Sequence, residues 1–174
     1  MNWFLTLLVA LLPFAAQAAW TDSTGKDVPD SESKQSAENF GAQLLITKDG
    51  NLFRQTWHTS RTPPKRATTD STRAGEEVSA LIIFHDCAPN AEGDCDVVAD
   101  FTVEEPDGKI NPAGGGPVWS EKPMRPSVMQ LGRASVTLDF GSTDAIGDYK
   151  ITAKVKDNVS GRSLSVMARL KVVK

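Results

Sequence analysis

The clearest pattern in the chain is the alternation of apolar and polar positions near its end. Tyr149, Ile151, Ala153 and Val155 alternate with Lys150, Thr152, Lys154 and Lys156. After a turn at 157–161, Leu164, Val166, Ala168, Leu170 and Val172 alternate with Ser163, Ser165, Met167, Arg169 and Lys171. Side chains of a strand point to opposite faces with a period of two, so each run predicts a strand with one dry and one wet face. Val97, Ala99, Phe101 and Val103 repeat the pattern, and Val136, Leu138 and Phe140 mark a further strand. The run from Val78 to Phe84 differs. Val78, Ala80, Ile82 and Phe84 predict one buried face, while Leu81 and Ile83 fill the other, so this strand is expected to be covered on both sides. Five to seven such strands separated by turns predict an all-β chain folded as an antiparallel β-sandwich.

The remaining stretches are less regular. Residues 40–47 (FGAQLLIT) are apolar, Asp49-Gly50 is a turn signal, and Leu52, Phe53 and Trp57 follow. This fits a hairpin or a strand followed by one helical turn. Residues 58–76 read as a polar loop with a proline pair, and 111–126, rich in Gly and Pro, as a loop containing Trp119. Residues 19–38 are polar and poor in aliphatics, which predicts a flexible lead-in.

The chain opens MNWFLTLLVALLPFAAQA. The apolar run from Trp3 to Leu12 is too short to span ~30 Å of hydrocarbon, and Ala16-Gln17-Ala18 is the small-x-small pattern cut by signal peptidase. The expected organisation is therefore a signal peptide at 1–18, a flexible segment at 19–38 and one sandwich domain at 39–174, in the periplasm or secreted, with no membrane span after cleavage. No cysteine stands near the cut to carry lipid. Cys87 and Cys95 both lie in the exported part, where an oxidising compartment predicts a disulfide closing the tip of a hairpin.

Asp144 to Tyr149 (DAIGDY) sits between two strands. It resembles the tyrosine corner of immunoglobulin-like domains, in which the ring packs at the end of the core and the hydroxyl bonds back to upstream backbone. Gly147 supplies the sharp turn. Where antibody domains carry a cysteine two residues on, this chain has Ile151. More widely, FGAQLLIT, Trp57, ALIIFHDC with GDCDVVADFTVEEPDGK, VWSEKP and IGDYKITAKVKDNVSGRSL resemble a family of uncharacterised exported proteobacterial proteins. The resemblance covers most of the mature chain. It implies export, the short disulfide loop and an immunoglobulin-like sandwich, and it brings no function.

Net charge is -3, and no concentrated basic face is visible that would meet the phosphates of nucleic acid. Hydrolase chemistry needs an activated nucleophile, but no G-x-S-x-G is present and only His58 and His85 could act as imidazole bases. His85 is expected on the outer surface of its strand beside Asp86. Transition metals find no two His or Met at ligand spacing. Calcium is the better metal candidate, because Asp86, Asn90, Glu92, Asp94 and Asp96 crowd one loop, yet no carboxylate stands where it would close a shell, and a solvated acidic turn is expected. Gly114-Gly115-Gly116 runs into Pro117 rather than a helix, so it is no phosphate cradle. Trp20, Trp57 and Trp119 remain, as ring platforms for a ligand or as plugs for the ends of the core. The expected function is a non-enzymatic binding or accessory module without cofactor or metal, its candidate ligand contacts Trp119, Trp57 and His85 and its partner an envelope protein or a small ligand. The alternative is a carbohydrate- or calcium-binding protein, with a hydrolase behind both.

Overall fold

The structure, a computed structural model, describes residues 20–22, 24–57, 68–125 and 128–174. The expected signal peptide with its cut after Ala18, His58 and the proline pair lie outside the described residues. The elements are β1 (Trp20–Thr21), β2 (Asp27–Val28), β3 (Lys34–Ala37), β4 (Phe40–Thr47), α1 (Gly50–Trp57), β5 (Ser71–Arg73), β6 (Glu77–His85), β7 (Val97–Glu104), β8 (Ile110–Trp119), β9 (Gln130–Asp139), β10 (Gly147–Asp157) and β11 (Ser163–Val173). They build an all-β protein of two packed sheets. One has the order β3-β4-β6-β9 and the other β5-β11-β10-β7-β8, with β1 and β2 as a separate hairpin. All pairings are antiparallel except β5 with β11.

The period-two pattern is realised as read. Tyr149, Ile151, Ala153 and Val155 of β10 point inward, as do Leu164, Val166, Leu170 and Val172 of β11 and Val97, Ala99 and Phe101 of β7. Opposite them lie Phe40, Ala42, Leu44 and Ile46 of β4 and Val78, Ala80, Ile82 and Phe84 of β6. The outer face of β6 is covered too. There Leu81 and Ile83 pack with Phe53 of α1 and Leu131 of β9 in a second cluster. The open choice after β4 resolves to a helix of two turns, with Asp49 as its N-cap: the Asp49 carboxylate accepts the Leu52 N–H at 2.8 Å. Gly50 is required because a Cβ there would stand 2.5 Å from the Ser79 hydroxyl.

Four sequence expectations are corrected. Over its described residues the segment 19–38 is not a flexible lead-in. β3 pairs with the edge of β4, and Trp20 is buried against the sheet. Edge pairing uses backbone groups and one aromatic ring, neither of which depends on aliphatic content. Residues 110–119 are a strand, not a loop. β8 is an edge strand, where proline is tolerated because its missing N–H can face away from the ladder. Third, Cys87 and Cys95 are bonded, with Cα atoms 5.9 Å apart, but they do not close a hairpin. β6 and β7 lie in opposite sheets, so the bond staples a crossover between them. Finally, His85 is not a surface residue; the N-terminal segment covers it.

Asp157, at the end of β10, is fully buried and fixes the crossover loop. Its carboxylate accepts the Ala88 N–H at 2.9 Å, the Ser160 hydroxyl at 2.6 Å and the N–H groups of Val159 and Ser160. Among the described residues no helix is long and apolar enough to cross a membrane.

Candidate functional site

The open long side of the sandwich carries a groove of about 590 Å³. It exists because β3 and β5 are short. β3 pairs only with residues 40–43 of β4, and β5 only with residues 171–173 of β11. Two straps cross from sheet to sheet at its ends. At one end the Ser33 carbonyl accepts the Leu44 N–H at 2.8 Å and the Glu32 carbonyl accepts the Met167 N–H at 2.7 Å. At the other, the Thr69 N–H donates to the Ile46 carbonyl and the Asp70 carbonyl accepts the Lys171 N–H, both at 2.8 Å. Between the straps is a window onto the core, lined by Leu44, Ile46, Met167 and Ala168. At its mouth Arg169 donates two hydrogen bonds to the Glu32 carboxylate, at 2.9 and 3.2 Å. This pair holds the Glu32 carboxyl below the usual carboxylate range and raises the Arg169 guanidinium.

A second recess, about 330 Å³, opens where β8 and β9 diverge, with Glu105, Asp139 and Asp144 around the Phe140 and Tyr149 rings. Most of its polar groups are already engaged. The Tyr149 hydroxyl donates to the Ala145 carbonyl at 2.8 Å, as a tyrosine corner does. Glu105 accepts from Asn111 and Asp144 from the Gly141 N–H. Burial, then the Asp144, Glu105 and Asp107 charges, raises the Tyr149 hydroxyl above its ordinary value. Gly147, at φ +146°, places the Pro106 ring 3.0 Å from where a Cβ would stand.

The three candidate contact residues are not brought together. Trp119 stands on β8 opposite Val97. Its ring packs on Phe84 with centroids 5.8 Å apart, the Arg133 guanidinium lies 5.7 Å from its centroid, and its indole N–H donates to the Lys122 carbonyl. Trp57, at the end of α1, stacks on Phe53 and packs on the second cluster. His85 is 2% exposed under the edge of the Trp20 ring, at a centroid distance of 4.5 Å. Its Nδ1 is 2.9 Å from the Asp86 carboxylate. Nε2 faces Gly41, where a Cβ would stand 2.2 Å from it, and has no hydrogen-bond partner among the described residues.

In the acidic loop, Asn90 accepts the N–H groups of Glu92 and Asp94, and Asp96 accepts from Asn158. No three His, Cys, Asp or Glu side chains among the described residues are placed to hold a metal ion. The window residues are ones that sequence reasoning missed. Leu44, Ile46 and Met167 look like ordinary strand positions, and only the strand order reveals that their edges are unpaired.

No family model matches the sequence, and no curated protein matches it. Among solved structures the chain is similar to the CARDB domain of the PF1109 protein, in complex with di-metal ions, from Pyrococcus furiosus, at 9% identity and TM-score 0.42 over 83% of this chain and 98% of that one. It is also similar to Spo0M, a sporulation control protein from Bacillus subtilis, at 13% identity and TM-score 0.42 over 76% of this chain. A family 123 glycoside hydrolase from Clostridium perfringens gives 13% identity and TM-score 0.40 over 78% of this chain. The chain spans 49% of the length of the sporulation protein and 27% of the hydrolase.

Proposed function

We propose that this is an exported, non-enzymatic binding module of the periplasm or the secreted fraction, built on an immunoglobulin-like sandwich, and that it binds through the window between the two straps. The observation that carries the reading is the window itself: a 590 Å³ groove with an apolar lining between the straps, whose walls are two sheet edges left unpaired. Ligand sites are concave, mostly apolar and provided with a few fixed polar groups, and this groove has that make-up. The immunoglobulin-like assignment is supported by the β6-to-β7 crossover between sheets, the parallel β5–β11 pair and the tyrosine corner. Export is supported by the signal-like N-terminus and by the disulfide, a bond that persists in oxidising compartments. The non-enzymatic assignment rests on His85, whose Nε2 is pressed against Gly41 rather than turned toward a nucleophile. The window is preferred over Trp119 and Trp57 because the rings of both are occupied by neighbours.

A methyl-labelled NMR titration with a library of small fragments tests the site. Shifts that cluster on Leu44, Ile46, Met167 and Ala168 are expected. Clusters confined to the β8–β9 recess or to α1 would refute the window.

A further inference from the structure

The geometry points to the partner's chemistry: we propose that the window takes an extended peptide segment of another protein. The segment adds as a short strand beside β11 and inserts one uncharged apolar side chain between the sheets. The proposal rests on the window being the binding site. Residues 167, 169 and 171 turn their backbone groups away from β10. The Met167 and Lys171 N–H groups are taken by the straps. This leaves the Met167 carbonyl and both backbone groups of Arg169 without a partner among the described residues. Across the groove the same holds for the Leu44 carbonyl and the Ile46 N–H of β4.

Backbone groups along an unpaired strand edge can be paired by an added extended chain. Here the vacant groups lie along a strand at the two-residue repeat of ~6.8 Å, which the backbone of an extended chain reproduces. Charge complementarity sets the inserted side chain. Glu32 and Arg169 neutralise each other at the mouth, and the four residues lining the window carry no charge, so an apolar residue in a neutral stretch fits and a charged one does not. Three of the other edges suit such a partner poorly. β8 carries Pro112 and Pro117 and two register shifts, and β3 and β5 are only four and three residues long. Of this chain's own edges only β9 is long and free of proline, so filling of the window by a second copy would show as self-association of the free protein.

The test pans phage-displayed random nonapeptides against the folded, disulfide-bonded protein, then titrates the ¹⁵N-labelled protein with enriched peptides made synthetically. Expected are peptides of alternating pattern with an apolar centre, shifts at the Ile46 and Arg169 amides, and at least tenfold weaker binding when one backbone nitrogen of the peptide is methylated. Ala168→Trp should abolish binding by filling the window. If that variant does not fold, Ala168→Leu should weaken binding tenfold. No enriched peptide, affinities indifferent to methylation at every position, or shifts elsewhere would overturn the proposal. Hexanoate separates the two levels. If no peptide is enriched but hexanoate shifts the Met167 methyl, the peptide proposal fails and the window stands; if hexanoate also leaves it unmoved, both fail.

Discussion

Asp157→Ala should be among the most damaging single substitutions outside the apolar core. The wild-type carboxylate is fully buried and accepts four hydrogen bonds, one of which crosses 69 positions of sequence to the Ala88 N–H in the disulfide loop. A hydrogen bond to a charged group contributes ~1.5–3 kcal/mol, and a sheltered donor left without an acceptor costs its full desolvation. The Ala88 contact falls in that range, because the carboxylate it donates to is fully buried. The bonds within the turn are worth less. Val159 is exposed and Ser160 half-buried, so water replaces part of what they lose. The total is about 3 kcal/mol. For a domain of this size that lowers the melting temperature by roughly 6–12 °C. Asp157→Asn keeps one acceptor oxygen and should cost about half as much. Urea denaturation of the two variants, with hydrogen exchange at the Ala88 amide, checks this. A loss below ~1 kcal/mol for Asp157→Ala, or an Ala88 amide as protected as in the wild type, would refute the role given to the carboxylate.

Tyr149→Phe removes the bond to the Ala145 carbonyl and keeps the packing, so a loss of about 1 kcal/mol is expected from the denaturant midpoint. Replacing Cys87 and Cys95 together by Ala frees a short loop and should cost roughly 2.5 kcal/mol in the chain-entropy account, with non-reducing peptide mapping of the wild type showing the bond. The Glu76 carboxyl is held at about 2, below its ordinary 4.5, first by the hydrogen bond from the Lys48 ammonium, then by the Arg73 N–H and the Thr72 hydroxyl. Its contribution to stability is therefore present above pH ~4.5 and lost as the pH falls towards 2. Melting curves across that window should flatten in Glu76→Gln, and an unchanged slope would count against the contact. Gly41→Ala drives a methyl into the His85 ring, and the loss should be largely relieved in Gly41→Ala/His85→Ala, read as a coupling in a double-mutant cycle.

Where the chain buries one face of a strand, the sequence was legible: the inward residues of β6, β7, β10 and β11 follow from period two alone. The double burial of β6 was legible as well, through Leu81 and Ile83, although the element covering them was not. What alternation does not encode is which strand pairs with which. Nothing local distinguishes a hairpin at 86–96 from a crossover between sheets, and only the strand order separates them. β8 was hidden by its own edge protection, since the prolines and glycines that blunt an edge are also the residues of loops. His85 was misjudged because its cover, Trp20, is 65 positions away in a segment with little other apolar content. The window has the same cause: it is defined by where β3 and β5 stop, and no residue within it is chemically unusual.

Amide hydrogen exchange at five positions in the mature, disulfide-bonded protein tests the binding site most directly. Leu44, Met167 and Lys171 donate to the straps, whereas Ile46 and Arg169 face the window with no acceptor among the described residues. The account predicts slow exchange at the first three, exchange at least tenfold faster at the other two, and protection of those two when an extended peptide is bound. Uniformly slow exchange across all five positions in the free protein would mean that the edges are already satisfied, and would contradict the window as a binding site.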